Sequence, residues 1–509
     1  MIFPDAISTP TRSFLASSDR MASTVLPAGP DSVANETPEA PRGDRALYEC
    51  LLRANGAIEA PVPARQAAHA RIEQLLDHAA DAPCGLPDDP DDLADWMARG
   101  VASAGLQYRA YLARRKAGGH REYFTSRSHA LHFLRAVAPT KLVDGAWLYG
   151  LLPQWRNPRF ADLVRTYVEE LGGGLADKNH VLLYRRLLQS HGIDDWREQP
   201  DANYTQGALQ LALATCADAF LPELIGFNLG YEQLPLHLLI TAYELDELGI
   251  DPYYFSLHVT VDNAAGGHAR CAVRAVHEAL PGTGGADAFW RRVRNGFKLN
   301  DTGLCTTAAI AGFDLHAEFL RVLQRKTVEG RVAHSDYCRI EGRSVNEWLD
   351  SENGVVRFVD ALERKGWLRR GKNPAESRFW RLLQGERAEM FGVFSPFELQ
   401  VVYDWIRGDD CRDGAAFPAA ADAAAPRAPR SFRQQYRLAT LAGHTALATA
   451  ESASEALDPD IAALERQLVS QGDARQQVDL LLRLMGPAHH WSMAGLHATR
   501  IFAGAMLHA

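Results

Sequence analysis

Six residues of this chain carry side chains that bind iron well and stand in an order that helices could bring together: Glu170, His180, Glu232, His258, Asp262 and His268. Carboxylate oxygen and imidazole nitrogen suit iron that activates dioxygen, and thiolates do not. His258 and Asp262 are four residues apart, so on a helix they share one face. Glu232 lies in the apolar stretch LIGFNLGYEQL, where a buried carboxylate needs a partner. Glu223, nine residues earlier, competes with it. On one straight helix the two face opposite ways, so only one can point at a shared centre. No Glu in the chain has His three residues later, so the Glu-x-x-His pairing of ferritin-like centres is missing.

Each of these residues also has a structural reading. Glu170 could be a solvated carboxylate at a helix end, and His180 could pack on the face of Tyr184. His258 and Asp262 could be a structural i, i+4 pair on a helix. What favours chemistry is the ordered set in one helical region.

That region runs from about 118 to 300. Apolar residues recur at helical spacing in it, as at Leu131, Phe133, Leu134 and Val137, and again at Leu163, Val164, Tyr167 and Val168. Breaks at Pro139, Gly172 to Gly174, Gly192 to Asp195 and Gly249 to Pro252 cut it into helices of ordinary length. Glu170 ends one helix and His180 opens the next. The glycine run between them is a helix connection and not a phosphate loop, since no strand precedes it and no Lys-Ser/Thr follows. Strand-like alternation is scarce, so the expected fold class is all-α, a multi-helical bundle with helical N- and C-terminal extensions.

The expected organisation is a disordered N-terminus over 1–43, a helical region over 44–117, the core over 118–300 and a helical extension over 301–410. An Ala/Pro-rich linker over 411–459 and a helical tail over 460–509 follow. His334, His489 and His490 lie outside the core and read as surface or local hydrogen-bonding residues.

Composition limits the function. The chain has 509 residues, a formal charge of −9 and no Lys/Arg block, so no nucleic-acid partner is expected. Seven cysteines without a C-x-x-C pair exclude a disulfide framework or zinc-thiolate site and fit a reducing cytoplasm. Cys216 and Cys271 sit in apolar segments and read as small core residues. No apolar run could span a membrane, and no secretory leader is evident.

The stretch from about 120 to 280 resembles the haem-oxygenase-like di-iron oxidases and oxygenases, also called iron-containing redox enzymes. Their ligands come in the order Glu, His, Glu, then His-x-x-x-Asp-x-x-His. Glu170 and His180 match the first pair across EELGGGLADKNH, Glu232 the third position, and His258 and Asp262 the start of the last motif. The segment APTKLVDGAWL resembles the family's core helix, with Asp144 where some members carry an extra carboxylate. KTVEGRVAHSDYCRIEGR and MFGVFSPFELQVVYDWI look like the longer members, so the resemblance covers half to two thirds of the chain. One departure is clear. The last histidine is expected at 265, which is Ala265; His268 follows one turn later. On an ideal helix His268 would point about 80° away from His258, unless the helix is broken at Gly266 and Gly267.

The resemblance implies two ferrous ions per chain and dioxygen as co-substrate, with Glu170 as the bridging carboxylate. It also implies a small substrate derived from an amino acid or amine, undergoing N-oxygenation, oxidative C–C cleavage or desaturation, in natural-product biosynthesis. An external electron donor and a homodimer are compatible with this reading. Two rival readings remain: a haem-binding relative, for which LIGFNLGYE would be the distal helix, and a helical interaction module with a decayed metal site.

Overall fold

The computed structural model describes residues 40–55, 60–261, 267–328, 330, 337–384, 388–408 and 458–507. Asp262, Ala265, Gly266 and His334 lie outside these residues, as do the expected disordered segment up to residue 39 and nearly all of the linker. Among the described residues the fold is all-α. The exception is a two-residue hairpin, β1 (Arg339–Ile340) and β2 (Arg343–Ser344). No helix there is long and apolar enough to cross a membrane.

Helices α1 (Asp44–Arg53), α2 (Val62–His78) and α3 (Leu93–Lys116) precede the core. The core begins at α4 (Arg127–Ala136), whose first turn is capped by Ser126 Oγ accepting from the His129 N–H at 3.2 Å. APTKLVDGAWL is not one helix. Pro139 sits in the single turn α5 (Ala138–Lys141), and Gly145 takes a left-handed φ of +78°. The chain then re-enters as a 3-10 segment, Ala146–Gln154. Asp144 is thus held in a turn. An L-residue at 145 would be strained, and its Cβ would sit 2.9 Å from Cβ of Glu170.

Helix α6 (Ala161–Glu170) ends at Gly172, Gly173 and Gly174, all with positive φ, which turn the chain into α7 (His180–Ser190). Helix α8 (Thr205–Thr215) is buried all round, as befits the centre of a bundle. It packs against α1, α2, α5 and the 3-10 segment Ala146–Gln154, and the chain continues through α9 (Leu221–Tyr231), α10 (Leu236–Glu247), α11 (Tyr253–Val261), α12 (His268–Ala279) and α13 (Ala286–Lys298), with α9 against α12 and α13. On α12 the apolar stripe Ala269, Ala272, Val273 and Val276 is buried while Arg270, Arg274 and Glu278 face solvent. Cys216 and Cys271 are buried, as their apolar surroundings suggest.

The extension supplies α14 (Thr306–Ala311), α15 (Leu315–Arg325), α16 (Val345–Leu349), α17 (Gly354–Arg364), α18 (Arg378–Gln384) and α19 (Pro396–Arg407). It joins the core through buried charge. The Arg135 guanidinium on α4 donates to both oxygens of Glu318 on α15, at 2.7 and 2.8 Å, and to Asp195 at 3.1 Å. The tail supplies α20 (Pro459–Ser470), α21 (Ala474–Leu484) and α22 (Met493–Met506). A single hydrophobic cluster runs from Leu47 and Tyr48 through the core to Met485 and Phe502.

Candidate metal centre

Six of the sequence candidates meet in the bundle interior. Asp144 comes from the turn after α5, Glu170 from the end of α6 and His180 from the start of α7. Glu232 caps the end of α9, His258 lies on α11 and His268 opens α12. None is more than 7 % exposed. They form two groups: Asp144, Glu170, His180 and His258, and then Glu170, Glu232 and His268. In each, one donor atom per residue lies within 4.8 Å of all the others. Glu170 belongs to both. It directs Oε2 to within 2.5 Å of His180 Nδ1 and Oε1 to within 3.2 Å of His268 Nδ1.

The orientation of the imidazoles carries information. His258 Nδ1 lies 2.8 Å from the carbonyl of Tyr254, one helical turn earlier, and its proton is donated there. Its Nε2 then faces Asp144 Oδ2 at 3.1 Å. His268 repeats the arrangement with its nitrogens exchanged. Nε2 faces Glu169 Oε2 at 3.0 Å, and Nδ1 faces Glu170 Oε1 and Glu232 Oε2, each at 3.2 Å. His180 Nδ1, although 2.5 Å from Glu170, makes no hydrogen bond. Nitrogen and oxygen donor atoms thus converge on common points. Such an arrangement requires positive charge at those points, from additional protons on the imidazoles or from cations. The donor set of carboxylates and imidazoles fits iron.

Asp144 is the most elaborately held ligand candidate. Tyr254 donates to its Oδ2 at 2.5 Å and Tyr231 to its Oδ1 at 2.9 Å. The Lys141 ammonium lies 3.9 Å away and donates to the Tyr231 hydroxyl at 3.1 Å. Burial pushes the Asp144 carboxyl up, but Lys141 and His258 outweigh it and hold it at about 2. Burial also opposes ionisation of Glu170, yet His180 and His268 hold its carboxyl well below the usual range.

Glu223 is elsewhere. It faces away from the centre and takes a bidentate ion pair from Arg292 on α13, at 2.6 and 2.7 Å. His268 is brought in because α11 ends at Val261 and a separate helix starts at His268, so extrapolating one straight helix from His258 does not apply. It joins Glu232 rather than the group that contains His258. Several residues escaped the sequence reading. Tyr254, one turn before His258, had a usable i, i+4 signal. Glu169 was visible only as a neighbour of Glu170, and Tyr231 and Lys141 gave no signal. His490, expected as a surface or local hydrogen-bonding residue, is buried and hydrogen-bonded to Asn179, 311 positions away.

Residues 131–301, about one third of the chain, match the family model described as iron-containing redox enzyme, so this segment is similar to that family. The match is shorter than the resemblance read from the sequence, and both the extension and the tail lie outside it. Every residue of the two groups lies inside it. No curated protein and no solved structure matches the chain.

Proposed function

We propose, with the match of residues 131–301 to the iron-containing redox enzyme family as premise, that the chain is a non-haem di-iron enzyme using dioxygen to oxidise a small amino-acid- or amine-derived substrate. The observation that carries this reading is the sharing of Glu170 between two buried groups whose nitrogen and oxygen donor atoms lie within 4.8 Å of one another. Asp144, Glu170, His180 and His258 would hold one ion, and Glu170, Glu232 and His268 the other, with Asp262 a further candidate for ligation. Bound iron would supply the electrons and open coordination positions for reaction with dioxygen.

The protein's own part follows from the surroundings. The Tyr254 carbonyl fixes the tautomer of His258, and Glu169 does the same for His268. Tyr231 and Tyr254 fix both oxygens of Asp144. Burial of all six side chains keeps bulk water out. Lys141, with 22 % of its side chain exposed beside Asp144, is placed to receive a carboxylate such as that of an amino acid. The haem alternative draws no comparable support, since each of the three imidazoles has a carboxylate oxygen within 3.2 Å.

Two experiments follow. Protein loaded anaerobically with ferrous iron and then mixed with air should consume oxygen in the presence of amino acids or amines. It should show no Soret band, with or without added haem; a Soret band that titrates with haem would replace this reading. Separately, Gly145→Ala should weaken iron binding, because a left-handed Ala costs roughly 1–2 kcal/mol and the new methyl displaces Glu170. Unchanged affinity in an iron titration of that variant would show that the turn does not set the position of Glu170.

A further inference from the structure

The tail is attached to the two helices that carry Glu170 and His180. Asn179, fully buried, is the cap of α7 and immediately precedes His180. Its Oδ1 accepts from the Leu182 N–H at 2.9 Å. Its Nδ2 donates to the Leu171 carbonyl at 3.2 Å, directly after Glu170, and reaches His490 at Nδ1 (3.1 Å) and at the carbonyl (3.3 Å). One amide therefore joins the end of α6, the start of α7 and the tail. Burial, assisted by Arg185 and His489, pushes the His490 imidazole down to about 3, so the ring is neutral and can accept from Asn179.

Other contacts run in parallel. The Arg185 guanidinium on α7 lies 3.7 Å over the ring of Trp491. Tyr167 on α6 donates to the Met485 carbonyl at 2.6 Å, and Tyr149 to the Leu482 carbonyl at 3.1 Å. Gly174 packs so closely on α22 that a Cβ there would be 2.8 Å from the backbone N of Arg500 and would overlap the Leu496 carbonyl.

We propose that the tail is a clasp on the metal centre and that His490 is a positioning residue, holding Asn179 so that α7 starts where His180 faces Glu170. The inference rests on the di-iron reading for its consequence, although the clasp itself does not. It assigns a role in the centre to a residue 311 positions from Asn179 and outside the segment that matches the family. A tail that merely covered apolar surface would affect stability without distinguishing the two iron sites.

The test uses the full chain with His490→Leu, which removes the acceptor at similar volume, and His490→Gln, whose amide oxygen can replace it. Anaerobic ferrous titration should show one site weakened by about ten- to hundredfold in His490→Leu, the other unchanged, and His490→Gln close to the parent. In the metal-free protein, amide exchange at residues 180–184 should be faster in His490→Leu. Parental affinity at both sites would overturn the proposal, as would equal weakening at both that Gln does not rescue. If the parent takes up no iron, the di-iron reading fails, and exchange still decides the clasp: parental exchange at 180–184 in His490→Leu overturns it.

Discussion

Glu170→Gln is expected to empty both iron sites, whereas His258→Ala should empty only one. Glu170 is the residue common to both groups. The change is isosteric, so the bundle should keep its helicity. The amide, however, presents N–H hydrogens to one or both imidazole nitrogens and removes the negative charge that two cations would share. Mutation of a residue that only supports a ligand commonly weakens a site by about one to two orders of magnitude; loss of the ligand itself costs at least as much, and here it is felt twice. Iron content per chain after anaerobic loading and desalting should fall from near two to near zero for Glu170→Gln and to near one for His258→Ala. Retention of one iron by Glu170→Gln would mean that the carboxylate serves a single ion.

The largest stability effect is expected at Arg135. Its side chain is buried with the carboxylates of Asp195 and Glu318, and its guanidinium also lies 5.2 Å from the ring centre of Phe397 on α19. Burial already pushes the Asp195 carboxyl up, against Arg135 and Arg325, which pull it down. Arg135→Met leaves two buried carboxylates short of their main partner, a situation that costs about 3–5 kcal/mol in comparable cases. Arg321, 2.8 Å from Asp195, offsets part of this from a more exposed position. Urea denaturation should show a clear fall in midpoint, and Arg135→Met combined with Glu318→Leu should recover part of it. An unchanged midpoint for the single variant would mean that the network contributes little to joining the extension to the core.

The sequence made the helices legible wherever the apolar period was regular and the breaks were glycine or proline. Glu170 and His180 were readable for that reason, because each sits at a helix end beside the glycine turn. Asp144 was visible only by resemblance, since its place depends on the left-handed Gly145 and on tyrosines 87 and 110 positions away. The choice between Glu232 and Glu223 could not be made on a helical wheel. It depends on which face meets α12 and which meets Arg292 of α13. For His268, the glycines announced a break but could not give the direction in which the chain resumed. The hydrogen-bonding role of His490 was legible, but not its burial, because its partner is distant in sequence.

The central claim is that two ions share Glu170. Mössbauer spectroscopy of the chain loaded anaerobically with isotopically enriched ferrous iron tests it most directly. The expected result is uptake of about two irons per chain as high-spin ferrous ions in oxygen and nitrogen surroundings, with magnetic coupling between them, and no iron signal above background in Glu170→Gln. A single uncoupled iron, or none in a fully folded sample, would contradict it.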